Sequence, residues 1–401
     1  MRLIPFLVQN ARWLLAGFAL TFASSFGQTF FISVFAGDIR AEFGLSHGQW
    51  GGLYALATTA SAAVMVFAGT VTDRFRVRSI APVLFVVLGL AAISMSQVSA
   101  IWVLGLTIFT LRLLGQGMMG HTAMVAMGRW FVATRGRAVS IAGLGVALGE
   151  ASLPVIFVAL MGIYDWRFLW AGAGVALVLF APVLMGLLKQ ERTPQSFGGD
   201  AGSLGLGGRM WTRLEVLRHP VFWAMVPTIL GPAAWNTAFF FHQVHVAEVK
   251  GWSHLTLVSL FPAFTFTAVG AMVLAGALVD RIGSPRLAKL YLLPYAAGYL
   301  VLALTQSPAA MAAGMVLMGL SAGFHATLMT TLWAELYGTA NLGAIRAMLG
   351  AVMVLGTAIG PGLTGALIDL GLTFPQQGIG VAAYFVVAAL LARWGLTRRA
   401  I

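Results

Sequence analysis

The chain has 401 residues, of which 59% are hydrophobic and only 9% charged, and its mean hydropathy is +0.90. A soluble domain carries about 25% charged residues, so a soluble multidomain enzyme, a disordered chain and a coiled coil are excluded, and lipid must be the main solvent. The net charge of +12 has no polar domain to gather on, which excludes a nucleic-acid partner, and the absence of cysteine excludes disulfides and thiolate metal sites.

In chain order, the opening MRLIPFLVQNARW lacks a small-residue cleavage site and reads as a cytoplasmic lead-in to a membrane helix. A crossing helix needs about 20 apolar residues. Cutting the chain at charge clusters and turn signals predicts twelve: 12–36, 49–71, 79–97, 101–125, 138–161, 166–187, 221–246, 255–279, 286–305, 309–333, 343–367 and 377–394. The runs are too long, and alternate too little, to be barrel strands. Twenty of the 24 Lys and Arg residues fall on one side if the N-terminus is inside; Arg40, Arg167 and Lys250 fall on the other, and Arg112 lies within a span. The positive-inside rule therefore sets both termini in the cytoplasm.

The longest polar stretch, 189–220, separates an N-terminal bundle (1–188) from a C-terminal bundle (221–401). Its end, RMWTRLEVLRHP, has apolar residues at helical spacing and three arginines, as expected of a short helix on the inner membrane surface. The bundles repeat. Gly69-Thr-Val-Thr-Asp73-Arg74-Phe-Arg-Val-Arg78 after span 2 matches Gly276-Ala-Leu-Val-Asp280-Arg281-Ile-Gly-Ser-Pro-Arg286 after span 8, 207 positions on. Gly44-Leu-Ser46 and Gly251-Trp-Ser253 share that offset. Gln28 and Asn236, His121 and His325, and the glycines 145/149 and 356/360 recur at offsets of 204–211. The predicted fold is all-α: twelve transmembrane helices in two pseudo-symmetric six-helix bundles around a midplane cavity.

Twelve spans, a long middle loop and a doubled G-x-x-x-D-R loop resemble the major facilitator superfamily of secondary transporters over essentially the whole chain. Arg112-Leu-Leu-Gly-Gln116-Gly117 is similar to that family's arginine motif in span 4. Trp130-Phe131 with Arg135-Gly136-Arg137-Ala138, and Leu342-Gly343-Ala344-Ile345-Arg346 followed by Gly360-Pro361, resemble the branch of monocarboxylate and oxalate/formate carriers. The resemblance implies alternating access about a central substrate site. Carriers of that branch usually place a cation within span 8 or span 11. Here 257–278 is uncharged, and Arg346 stands at the cytoplasmic start of span 11. The drug-antiporter pattern in span 5 wants Gly-Pro, where this chain has Gly149-Glu150.

Arg112 and Glu150 are the two strong charges well inside spans, where a charge costs about 2.5–3.5 kcal/mol and marks function. They lie 17 residues before and 13 after the loop 129–137, a depth mismatch of roughly 6 Å at 1.5 Å per residue, which predicts an ion pair. In the functional reading Glu150 carries a proton and Arg112 alternates between it and an anionic substrate. In the structural one the pair is a fixed staple, or Arg112 holds a backbone carbonyl of span 1. Gln28 and Asn236 are expected to line the cavity, or else to bond neighbouring helices. His121 and His325, and His242 with Gln243, are candidate substrate ligands, with His245 beside them. Gly69, Asp73, Arg74, Arg78, Gly276, Asp280, Arg281 and Arg286 form the candidate conformational latch. The glycines of spans 5 and 11 are expected to let helices slide between the halves.

No metal-ligand spacing is complete, so neither metal nor cofactor is expected, and no G-x-x-x-x-G-K loop supports ATP-driven transport. The reading is a secondary active transporter, acting as a monomer in the cell inner membrane, multi-pass. It moves a small organic solute of anionic, carboxylate type, coupled to protons or exchange. Efflux of amphipathic compounds is the alternative within transport. A membrane-embedded enzyme would need a cluster of acids, histidines or lysines at one interface, and the acids here are scattered singly.

Overall fold

A chain dissolved in lipid must satisfy its backbone polar groups internally, and this one does so with helices. The computed structural model describes residues 3–131, 134–190, 204–338 and 341–397, and no strand occurs among them. The predicted linker segment 191–203 and the side chain of Asp73 lie outside the described residues. Among the described residues, ten helices are long and apolar enough to cross a membrane, or eleven if the pair Ile4–Gly27 and Thr29–Phe43, bent by 49°, is one span. The predicted seventh span, 221–246, is helical except at His242 but in short pieces, so no single helix there has the length of a crossing.

Two compact units emerge, residues 1–45 with 53–199, and residues 46–52 with 200–401. The first holds α1 (Leu3–Ser24), α2 (Thr29–Ile32), α3 (Ala36–Phe43), most of α4 (His47–Ala68), α5 (Val71–Arg74), α6 (Val77–Ser96), α7 (Ile101–Leu111), α8 (Gly120–Trp130), α9 (Arg135–Met161) and α10 (Trp166–Leu187). Its core is aromatic. Phe31 stands edge-on to Phe157 at 4.8 Å and to Trp170 at 5.1 Å, the geometry that ring quadrupoles favour. Gly145 and Gly149 of α9 let the helix press on α1, because a Cβ at either would overlap Phe18 and Thr21, or Ser25.

The second unit holds the first turn of α4, then α11 (Arg213–Arg218), α12 (Pro220–Gly231), α13 (Thr237–Phe241), α14 (Gln243–Lys250), α15 (His254–Val258), α16 (Phe261–Ile282), α17 (Ser284–Ala288), α18 (Leu293–Leu304), α19 (Pro308–Tyr337), α20 (Leu342–Asp369) and α21 (Phe374–Thr397). Gly356 and Gly360 of α20 sit against the backbone of 230–234, as Gly145 and Gly149 sit against α1. The nearest neighbours of all four glycines lie within their own unit, which corrects the expectation that they serve sliding between halves; small residues here seat one helix on another inside each unit.

The repeated Gly-x-Ser corners share one geometry. Gly44 and Gly251 take φ of +63° and +66°, which suits a residue without Cβ. The serine two positions later caps the next helix: Ser46 Oγ accepts from Gln49 N at 3.1 Å, and Ser253 Oγ from Thr256 N at 3.0 Å. The expected surface helix is α11. Thr212 and Glu215 close a capping box at its start, and those hydrogen bonds hold the Glu215 carboxyl below its ordinary pKa, with Arg209 assisting. Trp211 anchors the segment to the end of α19, its backbone N–H donating to the Tyr337 carbonyl at 3.1 Å and its carbonyl accepting from Asn341 Nδ2 at 3.0 Å.

Candidate functional site

In the first unit the chemistry gathers where α1 stops. Gln28 is extended (ψ 156°), so the helix ends after Gly27 and the Gly27 carbonyl loses its intrahelical donor. Gly27 and Gly115 touch backbone to backbone, a Cβ on Gly115 falling 2.6 Å from Gly27 Cα. This contact sets the break against residues Arg112–Met119, which form a π-helical turn between α7 and α8. Such wide turns recur at functional sites because they redirect side chains within an otherwise regular helix.

Arg112, 1% exposed, begins that turn. Its Nη1 donates to the Gly27 carbonyl at 3.1 Å and to Thr29 Oγ1 at 3.4 Å, and its guanidinium lies 5.2 Å from the Tyr54 ring centre. Thr29 and Tyr54 share a further hydrogen bond of 2.6 Å. Nε and Nη2 of Arg112 are sealed from solvent and have no hydrogen-bond partner among the described residues. The predicted ion pair with Glu150 is not formed: the guanidinium is engaged by the carbonyl that the helix break freed, at no cost of burying a second charge. Glu150 lies half-buried on α9, next to the Gly149 that packs on Ser25. Gln28 is half-buried at the break itself.

The second unit has its own π-helical turn, Pro232–Asn236, between α12 and α13. Pro232 has no N–H to donate, which helps the regular ladder give way. Asn236 Oδ1 and Trp235 Nε1 are both sealed from solvent without a partner among the described residues. Trp235 meets Tyr384 edge-on at 5.8 Å.

Beyond α13 a polar cluster follows. His242 Nε2 lies 3.2 Å from the Pro361 carbonyl, an acceptor only, so Nε2 carries the proton. Gln243, fully buried, donates from Nε2 to the Phe240 carbonyl at 3.0 Å and accepts at Oε1 from His254 Nε2 at 3.1 Å. His245 Nε2 accepts from Phe374 N at 3.3 Å. The His47 ring stands 4.7 Å from that of His245 and 6.0 Å from that of His242. Beside it, Asp369 accepts from Ser46 Oγ at 2.6 Å, His47 N at 3.0 Å and Gly48 N at 2.8 Å, a carboxylate placed on the N-terminus of α4. Among the described residues no group of acids and histidines is arranged to hold a metal.

The other candidates stand apart from these groups. His121 Nε2 is 3.2 Å from Thr72 Oγ1; that hydroxyl already donates to the Gly69 carbonyl, so the imidazole donates. Arg129 Nη1 donates to the Thr72 carbonyl at 2.7 Å, so the first D-R loop is tied to both ends of α8. In the second loop Asp280 and Arg281 are exposed and form no ion pair among the described residues, while Arg286 donates to the Ile282 carbonyl at 3.2 Å. Glu335, which sequence reasoning missed, accepts there from Ser284 N at 3.3 Å. His325 donates from Nδ1 to the Tyr291 hydroxyl at 3.2 Å, and that hydroxyl donates to the Thr228 carbonyl at 2.8 Å.

His47, His254 and Asp369 were also missed. The two histidines each follow the repeated Gly-x-Ser directly and are 207 positions apart, a signal the repeat carried. Asp369 meets residues more than 320 positions away, and nothing local marks it.

Comparison with known proteins adds the following. The profile described as Major Facilitator Superfamily matches residues 17–361 and, overlapping, 259–400. A protein of Cupriavidus necator described as a probable sulfoacetate transporter is 26% identical over 276 residues, covering 64% of this chain and 63% of its own length. Monocarboxylate transporter 13 of Bos taurus is likewise 26% identical over 276 residues, covering 66% of this chain and 61% of its own length. The matches thus span less than two thirds of these relatives. Among solved structures, a bacterial homologue of the human lysosomal transporter Spinster, inward-facing and unoccupied, superposes with a TM-score of 0.68 at 16% identity, over 97% of this chain and 94% of the other. The nucleoside transporter NupG superposes with a TM-score of 0.68 at 12% identity, over 96% and 99%.

Proposed function

The chain belongs to the major facilitator superfamily and is a multi-pass membrane transporter rather than an enzyme; from that premise we propose that it moves a small organic anion of carboxylate type by alternating access, as a monomer in the cell inner membrane. The observation that carries the reading is Arg112. A fully buried guanidinium at membrane depth has two nitrogens, Nε and Nη2, with no acceptor among the described residues. Buried donors without acceptors cost about 1–3 kcal/mol each, and a planar fork of N–H groups matches a carboxylate or sulfonate. The relatives described as sulfoacetate and monocarboxylate transporters carry ligands of that class by name.

In this proposal the two π-helical turns supply the substrate contacts. Arg112 and Gln28 take the anionic end, and Asn236, whose Oδ1 has no partner among the described residues, takes a donor elsewhere on the solute. His121 and His325 lie further along spans 4 and 10, and His242 and Gln243 close span 7. Glu150 is the proton carrier in a proton-coupled version, exchange being the other. The twelve-span count treats 221–246 as one broken span; the halves are 1–188 and 221–401, joined by 189–220, with both termini cytoplasmic. The loops of Gly69, Asp73, Arg74 and Arg78, and of Gly276, Asp280, Arg281 and Arg286, latch and release the inner ends.

The test is counterflow in liposomes with labelled small carboxylates and carboxy-sulfonates, beside thermal stabilisation by the same compounds and by hydrophobic cations. Saturable anion exchange that Arg112→Gln abolishes is the expected result. Stabilisation by hydrophobic cations alone overturns the anion reading in favour of amphipathic efflux. Uptake by Glu150→Gln with unchanged pH dependence ends the coupling role.

A further inference from the structure

One groove of the first unit combines a lipid-like wall with a charged end. It runs between α6 and α10, encloses about 860 Å³, and is walled by Pro82, Val83 and Val86 on one side and Val178, Pro182 and Met185 on the other. At one end stand Arg78, Ser79 and Lys189. Arg78 is the second residue of α6, and Lys189 lies two residues past the end of α10, so the antiparallel pair brings both cations to the same end. The unit gathers its other cations there too, because the loop of Arg74 is bound to the helix of Arg129 through the Thr72 carbonyl.

Both cations are exposed and make no hydrogen bond or ion pair with any described residue. The neighbouring Arg12 differs. It spends its guanidinium on the Leu187 carbonyl at 3.3 Å and Gln190 Oε1 at 3.0 Å, and so fixes the end of α10 beside Lys189. The depth of the groove has a natural floor. Gly89 and Gly174 meet so closely that a Cβ on Gly89 would lie 2.7 Å from the Gly174 carbonyl oxygen. That crossing is 11 residues from Arg78, roughly 16 Å at 1.5 Å per residue, close to half of the about 30 Å hydrocarbon core that one leaflet's acyl chains fill.

We propose that this groove is a binding site for one anionic phospholipid, its phosphate between Arg78 and Lys189 with the Ser79 hydroxyl as a third donor, and one acyl chain lying along α6 and α10 to the glycine crossing. Two unpaired cations select a net negative headgroup over a zwitterionic one, and the apolar wall demands a tail, which free phosphate lacks. The site is separate from the substrate contacts around Arg112 and does not depend on what the protein transports.

The experiment is native mass spectrometry of the full chain in mild detergent, titrated with phosphatidylglycerol or with phosphatidylcholine of the same acyl chains. The expected result is one phosphatidylglycerol retained in preference to phosphatidylcholine. That preference should fall about fivefold for each of Arg78→Gln and Lys189→Gln and survive in Arg78→Lys. Val178→Trp, which fills the groove with no change of charge, should lose the retained lipid as well. Inorganic phosphate at equal concentration should not displace it. The proposal is overturned if the double variant Arg78→Gln/Lys189→Gln retains phosphatidylglycerol as the parent does, if Val178→Trp has no effect, if inorganic phosphate competes fully, or if filling the groove instead removes a dimer. Arg78→Lys, with both charges in place, shows whether a loss reflects the site or misfolding.

Discussion

Replacing Arg112 with methionine separates a substrate ligand from a structural staple, because the two roles give opposite pairs of results. Methionine fills much of the same volume without the charge. The variant loses a charged hydrogen bond to the Gly27 carbonyl, about 1.5–3 kcal/mol, a weaker one to Thr29 at 3.4 Å, and a desolvated contact with the Tyr54 ring, about 2 kcal/mol. It also escapes the about 2.5–3.5 kcal/mol of holding an arginine at membrane depth, a cost that already contains the sealed Nε and Nη2 donors without an acceptor among the described residues. Losses of about 3.5–5 kcal/mol set against that gain leave folding stability lower by no more than about 3 kcal/mol. Transport should not be spared. An anion bound to the fork loses about 2–5 kcal/mol when the fork is removed, which is about thirtyfold or more in uptake. The assay pairs thermal unfolding of purified protein with uptake by proteoliposomes of matched protein content. Marked destabilisation with uptake per folded molecule intact would refute the reasoning and leave Arg112 as the holder of the span 1 carbonyl.

Three further outcomes follow from particular contacts. Gly145→Ala sets a methyl group onto the Phe18 carbonyl and Thr21 hydroxyl, so α9 must back away from α1, and stability should fall by about 1–3 kcal/mol in thermal unfolding, whereas Gly143→Ala, in open space, should not change it. Asp369→Ala should raise amide exchange at His47 and Gly48, whose N–H groups lose their acceptor, with little change elsewhere. His219, hydrogen-bonded to the Tyr337 hydroxyl at 3.0 Å, has its pKa lowered from the ordinary 6.5 by burial and then by Arg209. The folded state therefore prefers the neutral ring, and the docking of α11 should be complete above about pH 6.5 and loosen as pH falls through the lowered value. Exchange of α11 amides across that range should show the loss, and His219→Gln should flatten it.

Hydrophobicity located nearly every helix because lipid imposes one requirement along the whole chain: each backbone group must find its partner locally. The departures sit where side chains or backbone break that rule, and composition does not register them. Gln28 falls inside the predicted span 12–36, yet the chain turns there, beside the close contact of Gly27 with Gly115 on a helix more than 80 positions away. The π-helical turns at 112–119 and 232–236 leave no periodic trace, although both fall on residues that the repeat or a buried charge had already singled out. Charge counting brought Arg112 and Glu150 to similar depth and so suggested a pair. Depth gives no azimuth, and the freed Gly27 carbonyl stood on the side the guanidinium faces.

Four of the sealed polar atoms without a partner among the described residues, Arg112 Nε and Nη2 in the first unit and Asn236 Oδ1 with Trp235 Nε1 in the second, belong to π-helical turns, and the others are single hydroxyls and indole N–H groups elsewhere, Thr58 and Trp170 among them. Elsewhere in the membrane-embedded helices serine and threonine hydroxyls mostly return to carbonyls three or four residues back, as at Ser24, Ser33, Thr228 and Thr364, which settles them without outside help. A protein that can satisfy hydroxyls so routinely has the means to satisfy an arginine, and Glu150 on the neighbouring α9 lay close enough in depth to do it. Leaving half of a buried guanidinium unbonded is stable only if the loss is small against the rest of the fold, and it is useful only if something else completes the set. A solute that bears its own acceptors and enters and leaves completes it in turn. In the proposed reading the Arg112 donors without a partner among the described residues take the cargo, and a carboxylate held at Nε and Nη2 should displace neither the Gly27 bond nor the Tyr54 contact in a substrate-bound structure.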